Sequence, residues 1–109
     1  MSKEKLPRKA KETMSQLGKG LRREYTDVQA YLFGSYADGT WMEDSDFDVV
    51  VVSDRFEGKT FAERVAAVRH LAPRNKPFEI LAYTPAEFRK AKVRSIVLQD
   101  ARRYWRRIL

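Results

Sequence analysis

A chain of 109 residues is long enough to bury a core without covalent staples, and a single domain spanning 1–109 is expected. The absence of cysteine removes disulfide frameworks, thiolate zinc sites and cysteine nucleophiles; no apolar run approaches a membrane span or signal-peptide core, so a cytoplasmic protein is expected. The formal charge of +7 divides into basic ends, with eight Lys or Arg in each of 1–23 and 89–109, around an acidic centre that holds Glu43, Asp44, Asp46 and Asp48.

The elements follow from periodicity and punctuation. The first 25 or so residues read as a helix, with Pro7 in its early turn and Leu6, Met14, Leu17 and Leu21 on one apolar face; Gly18 and Gly20 should weaken or bend it. A first strand at 28–33 ends at Gly34, and Ser35 opens a turn or short helical start. The second strand, 46–52, is β-branched and nearly continuous in apolar residues after its opening aspartates, as a buried central strand should be. Ser53, Asp54 and Gly58 mark its exit. A helix follows from Thr60, whose side chain and Glu63 form a capping box ahead of Phe61, Val65, Val68 and Leu71, and it should stop at Pro73. The third strand is 76–83. Thr84-Pro85-Ala86-Glu87 then starts a last helix expected to run through Arg103, with 104–109 open between helix and short strand. The order predicts a small α/β or α+β domain.

Chemistry concentrates between the first two strands. Asp46 and Asp48 alternate on a strand, so both project from one face, roughly 6.6 Å apart along it. Two carboxylates aimed together repel, and the pairing makes sense around hard divalent cations that prefer oxygen ligands. Gly34-Ser35, where a strand turns into a helical start, offers backbone N–H groups and a hydroxyl to phosphate oxygens. Competing motifs fail. Gly34 and Gly39 have P-loop spacing, but Thr40-Trp41 stands where Lys-Ser/Thr is required; Gly18-Lys19-Gly20 is followed by Arg23 instead of a third dinucleotide-binding glycine. A calcium loop starting at Asp44 would need Gly at Val49 and Glu at Arg55. Glu43 and Asp44 read as solvated loop acids, His70 as a surface side chain, and Phe33, Tyr36 and Trp41 as core.

Gly-Ser, ten intervening residues and Asp-X-Asp, at Gly34, Ser35, Asp46 and Asp48, resemble the signature of the nucleotidyltransferase superfamily that includes DNA polymerase beta, specifically its minimal single-domain members. The segment 83–88 also looks like the one after the third strand in these proteins. The resemblance implies a small mixed sheet flanked by helices, the polymerase beta-like palm. It implies that Gly34 and Ser35 hold the nucleotide's β- and γ-phosphates and that Asp46 and Asp48 ligate two Mg²⁺ ions. Glu79 is the candidate for the family's third carboxylate, as metal ligand or general base, although many relatives carry Asp there. Asp38 stands where relatives often have a basic residue, so cations from elsewhere, Arg22, Arg23 or a partner chain, would have to offset it.

The activity implied is Mg²⁺-dependent transfer of a nucleoside monophosphate, AMP from ATP, to an acceptor hydroxyl. The partner implied is a helical protein of the HEPN type, a toxin silenced by adenylylation of a tyrosine. Nucleic acid is a further partner that the basic ends would suit, and solvated helix faces are the alternative account of those charges. The rival reading is a catalytically weak or inactive subunit that binds a partner or nucleic acid through the same fold. Asp38 and Glu79 favour that rival; the Asp46/Asp48 pair opposes it.

Overall fold

A computed structural model describes residues 6–94 and 105–109. Helix α1 (Arg8–Glu24) leads into strand β1 (Gln29–Phe33), the one-turn helix α2 (Ser35–Asp38) and strand β2 (Phe47–Val52). A 3₁₀ turn (Asp54–Phe56) precedes α3 (Phe61–Leu71), β3 (Phe78–Tyr83), α4 (Pro85–Arg94) and a short β4 (Arg106–Arg107). The sheet order is β3-β2-β1-β4. Strand β1 runs antiparallel to both β2 and β4, whereas β3 lies parallel to β2 after the crossover through α3. This is the small mixed sheet flanked by helices that the sequence implies. No helix among the described residues is long and apolar enough to cross a membrane.

Both faces of β2 are covered, which is why its sequence is almost unbroken in apolar residues. Phe47, Val49 and Val51 join Ala10, Met14, Leu17 and Leu21 of α1 and Val68 of α3 in the main core. Val50 and Val52 point the other way, into a second cluster with Phe33 and with Phe88 of α4. Each Val or Leu fully removed from water in these clusters contributes about 1.5–3 kcal/mol before chain entropy is counted.

Two expectations about α1 change. The helix continues through Gly18 and Gly20, and Gly20 has a packing role: a Cβ there would sit 3.1 Å from Leu71 Cβ, so its absence lets α1 lie against the end of α3. Pro7 is the residue just ahead of the helix, its carbonyl accepting from Lys11 N–H at 3.0 Å. The capping box on α3 forms as expected, with Thr60 N–H donating to Glu63 Oε1 at 2.7 Å and Glu63 N–H donating to Thr60 Oγ1 at 3.1 Å. The same reciprocal pair recurs at α4 between Thr84 and Glu87. Of the open segment at the C-terminal end, Arg106–Arg107 is strand, paired with Tyr31 and Leu32 of β1. The expected extension of the last helix through Arg103 and the extreme start of the first lie outside the described residues.

The sequence gives no sign of the cross-link made by Arg64. Arg64 is 8% exposed, and its guanidinium donates to Lys59 O at 3.1 Å, to Ala82 O at 3.2 Å and to Glu87 at 2.5 and 3.3 Å, joining α3, β3 and α4. The Arg64 hydrogen bond, followed by the Thr84 amide, holds the Glu87 carboxyl below the usual carboxylate range. Arg64→Ala strips two carbonyls and a carboxylate of their donor at once. An expected loss of about 3 kcal/mol follows, and urea denaturation of the variant measures it. Glu87→Gln, which keeps one acceptor for Arg64, should cost less than half as much.

Candidate functional site

Strand β1 can end directly against β2 because residue 34 is glycine. Gly34 sits at φ 71°, ψ −152°, a region open essentially to glycine alone. A Cβ built on it would overlap the carboxylate of Asp48, with Cγ only 2.8 Å away. The strand-to-helix turn is thus seated on one of the two signature aspartates. Ser35 begins α2, and the Gly34 carbonyl accepts from both Ala37 and Asp38 N–H at 3.0 Å. Gly39, at φ 88°, closes the helix in the left-handed conformation.

A column of rings bridges the ten residues between Ser35 and Asp46. Tyr36 stacks on Phe47 with centroids 4.2 Å apart and planes 4° from parallel, and on Trp41 at 5.9 Å and 6°. One ring comes from α2, one from the loop and one from the first residue of β2. Tyr36 and Phe33 are buried and Trp41 half-buried, so these aromatics are core, as the sequence suggests. The remainder of the loop turns tightly, with Ser45 N–H donating to Met42 O at 3.0 Å and Met42 N–H to Ser45 Oγ at 2.7 Å. That turn holds Met42, Glu43 and Asp44 out in solvent. Asp38 Oδ1 accepts from the Thr40 amide at 2.9 Å and the Thr40 hydroxyl at 2.6 Å, a local turn that engages one of its two carboxylate oxygens.

Asp48 lies at the junction of three strands. It is in register with Phe33 of β1 on one side and with Glu79 of β3 on the other. Cross-strand partners project from the same face, so Glu79 and Asp48 stand side by side on the face that α4 partly covers. Asp46 comes one residue before β2 and is exposed, as is Glu79, while Asp48 is half-buried. Burial above all, then the charges of Glu79 and Asp46 and a hydrogen bond with Glu79, push the Asp48 carboxyl up to about 6. The three carboxylates therefore act on one another electrostatically, and Asp48 bears the cost.

A raised carboxyl in an all-oxygen cluster is what a hard divalent cation would relieve. Among the described residues no three His, Asp or Glu side chains are gathered closely enough to hold a metal ion by themselves. An open set fits Mg²⁺, which is held through one or two carboxylates and completes its octahedron with phosphate and water oxygens. Asp46, Asp48 and Glu79 thus match the donor chemistry of such a site, with Gly34 and Ser35 adjoining it. Other residues weighed in the sequence lie elsewhere. His70 is exposed near the end of α3, and Arg23 is exposed in the last turn of α1. Arg22 lines a groove against β4, at the opposite sheet edge from Glu79. The Gly34–Asp48 contact and the ring column carry no sequence signal of their own; the φ that only glycine reaches is their nearest trace.

Comparison with known proteins bears on the family and the fold. The family model for the nucleotidyltransferase domain matches residues 8–104. Among curated proteins none matches the chain by sequence. A solved structure assigned as a candidate nucleotidyltransferase is 26% identical over 86% of this chain and 95% of its own, with a TM-score of 0.61. A toxin–antitoxin structure with AMP-PNP is 21% identical over 88% of this chain and 72% of its own, at TM-score 0.62. A mutant of the toxin–antitoxin pair MntA–HpeT, carrying two Asp-to-Glu substitutions two residues apart, is 19% identical over the same shares, at TM-score 0.61. Below a quarter identity these last two speak for the fold alone.

Proposed function

The chain belongs to the nucleotidyltransferase domain family, and we propose that it transfers AMP from ATP to a hydroxyl on a partner protein, a tyrosine of a HEPN-type toxin. The row of Glu79 on β3, Asp48 on β2 and Gly34 just past the end of β1, with Asp46 ahead of β2, carries this reading. In the proposed step the acceptor hydroxyl oxygen bonds to the α-phosphorus, the bond from that phosphorus to the bridging β-phosphate oxygen breaks, and pyrophosphate leaves. Glu79, exposed at the sheet edge, takes the hydroxyl proton. Asp46 and Asp48 would hold two Mg²⁺ ions, and Gly34 with Ser35 would seat the β- and γ-phosphates. Bound there, the metal pair would neutralise charge on the attacking and leaving oxygens. The residues otherwise contribute position and a fixed field.

The partner assignment draws on the neighbours: one toxin–antitoxin structure was solved with AMP-PNP, an ATP analogue, and the other is the MntA–HpeT pair. The rival reading, an inactive binding subunit, keeps its support from Asp38, because the Thr40 amide and hydroxyl bond only one oxygen of that carboxylate and cancel none of its charge. The deciding experiment is transfer of label from α-³²P-ATP with Mg²⁺ into a lysate of the source organism. Wild type is expected to label a protease-sensitive acceptor, and Asp46→Asn/Asp48→Asn to label nothing. Label that ribonuclease removes would make the acceptor RNA. No labelling by a folded wild type with any of the four nucleotides would leave the inactive subunit standing.

A further inference from the structure

Away from the carboxylates, α1 and β4 enclose a groove of about 370 Å³. Its floor is aliphatic, made by Met14 of α1, Leu32 of β1, and Ile108 and Leu109 after β4. Those last two side chains lie against α1 at Gly18, where a Cβ would make ordinary contact with them at 3.5–3.6 Å. Around the floor stand Lys11, Lys19, Arg22, Arg106 and Arg107, and among the described residues no Asp or Glu side chain lines the groove. The nearest acid on α1, Glu12, is paired with Arg8 at 3.5 Å. Arg107 Nε donates to Leu109 O at 2.6 Å. Arg106 Nε, by contrast, is buried and has no acceptor. Buried guanidinium N–H groups are normally satisfied, so Arg106 gains a partner by turning its guanidinium outward to an acceptor that enters the groove.

We propose that the α1–β4 groove is the docking site for the partner protein, taking from it a segment that presents an aliphatic side chain flanked by carboxylates. This inference rests on the reading of the chain as one member of a protein pair. The aliphatic floor receives the apolar side chain, Arg106 Nε finds its acceptor, and Lys19 and Arg22 at the rim meet the remaining charge. Single-stranded nucleic acid fits less well, because among the described residues no aromatic side chain lines the groove for bases to stack on. Docking there would leave the carboxylate row clear, since β4 and β3 are opposite edges of the sheet.

The test uses a fluorescein-labelled amphipathic peptide built from Leu and Glu, followed by anisotropy at physiological salt. Wild type is expected to bind it about tenfold more tightly than Lys19→Glu/Arg22→Glu. Arg89→Glu/Lys90→Glu, which reverses an equal charge on exposed α4, should bind like wild type. A peptide with Ser in place of Leu should lose about tenfold as well. Arg106→Met should keep the melting temperature while weakening the peptide, because the free chain gives Nε no partner to lose. No measurable binding, equal weakening by the α4 reversal, indifference to the Leu-to-Ser exchange, or displacement of the peptide by oligouridylate would each overturn the proposal. So would a fall in melting temperature of Arg106→Met with peptide affinity unchanged. A second copy also carries an apolar side chain beside two acids, at Met42-Glu43-Asp44. A dimer in sedimentation that Glu43→Lys/Asp44→Lys dissolves would therefore assign the groove to self-association instead. ATP binding measured on the same variants is independent of the groove, so its loss in wild type would strike the catalytic reading and not this one.

Discussion

Asp48→Asn should raise the melting temperature while abolishing nucleotidyl transfer. The Asp48 carboxyl titrates at about 6 in the folded protein against an ordinary 3.8. The folded state therefore holds this proton more tightly than the unfolded state. Stability is greatest below pH 3.8 as far as this group is concerned, declines as pH rises between 3.8 and about 6, and stays reduced above it. Asp48 is only half-buried, so solvent screening cuts the cost at neutral pH to about 1–2 kcal/mol. Asparagine is nearly the same shape, can still hydrogen-bond Glu79, and never ionises. A gain of about 5 °C is expected at pH 7.5, shrinking as the buffer is taken below pH 6, where wild type no longer bears the charge. Transfer should fall by about a thousandfold or more, the scale of losing several kcal/mol of charge stabilisation. Asp46→Asn is the control. Its carboxylate is exposed, so activity should drop as far with a smaller change in melting temperature. Thermal melts at two pH values, run beside the labelling assay, decide it: a pH-independent gap between wild type and Asp48→Asn would mean that the site stores no electrostatic strain.

Gly34→Ala should damage both stability and activity. Its φ of 71° with ψ of −152° costs a non-glycine residue about 1–3 kcal/mol, and the new methyl would also occupy the space of the Asp48 carboxylate. A total loss of about 2–4 kcal/mol is expected, with transfer reduced at least a hundredfold because Asp48 must move. Gly58→Ala separates the two contributions. Gly58 has φ 78° but nothing within 4 Å of the would-be Cβ, so only the backbone cost of about 1–2 kcal/mol should appear there. In the double variant Gly34→Ala/Asp48→Ala most of the steric share should go, leaving the 3.2 Å approach to Cβ of residue 48, while the backbone share persists, giving a coupling that urea denaturation can read. Full additivity would show that the glycine is not there for Asp48.

What could be read in the sequence was local or periodic. The capping box at Thr60 and the near-continuous apolar strand each depend on residues a few positions apart, and each appears in the structure, although β2 starts at Phe47 and leaves Asp46 just ahead of it. Glu79 shows how far such reading extends: an acid on an edge strand looks solvent-facing, and it is exposed, yet its register opposite Asp48 exists only once β3 has paired with β2. Arg64 is a stronger case. Two of its partners, Ala82 and Glu87, are 18 and 23 residues away, and nothing in its own helix distinguishes it from a solvated arginine. Gly20 reads as a helix weakener because propensity is local, whereas its use is a close approach to Leu71 far along the chain.

The ring column of Trp41, Tyr36 and Phe47 has a bearing on how this scaffold can be altered. Phe47 is tied to α2 through its ring and to β3 through its N–H, which donates to Pro77 O at 2.9 Å. A residue inserted or deleted between Gly39 and Asp46 would have to break that column or rotate the strand by one position, and rotation sends Asp48 into the apolar core. Loop length is therefore a frozen dimension of this protein, while the solvent-facing identities at Met42, Glu43 and Asp44 are open to exchange. An engineer seeking a new acceptor should randomise those three side chains and leave the count of residues alone.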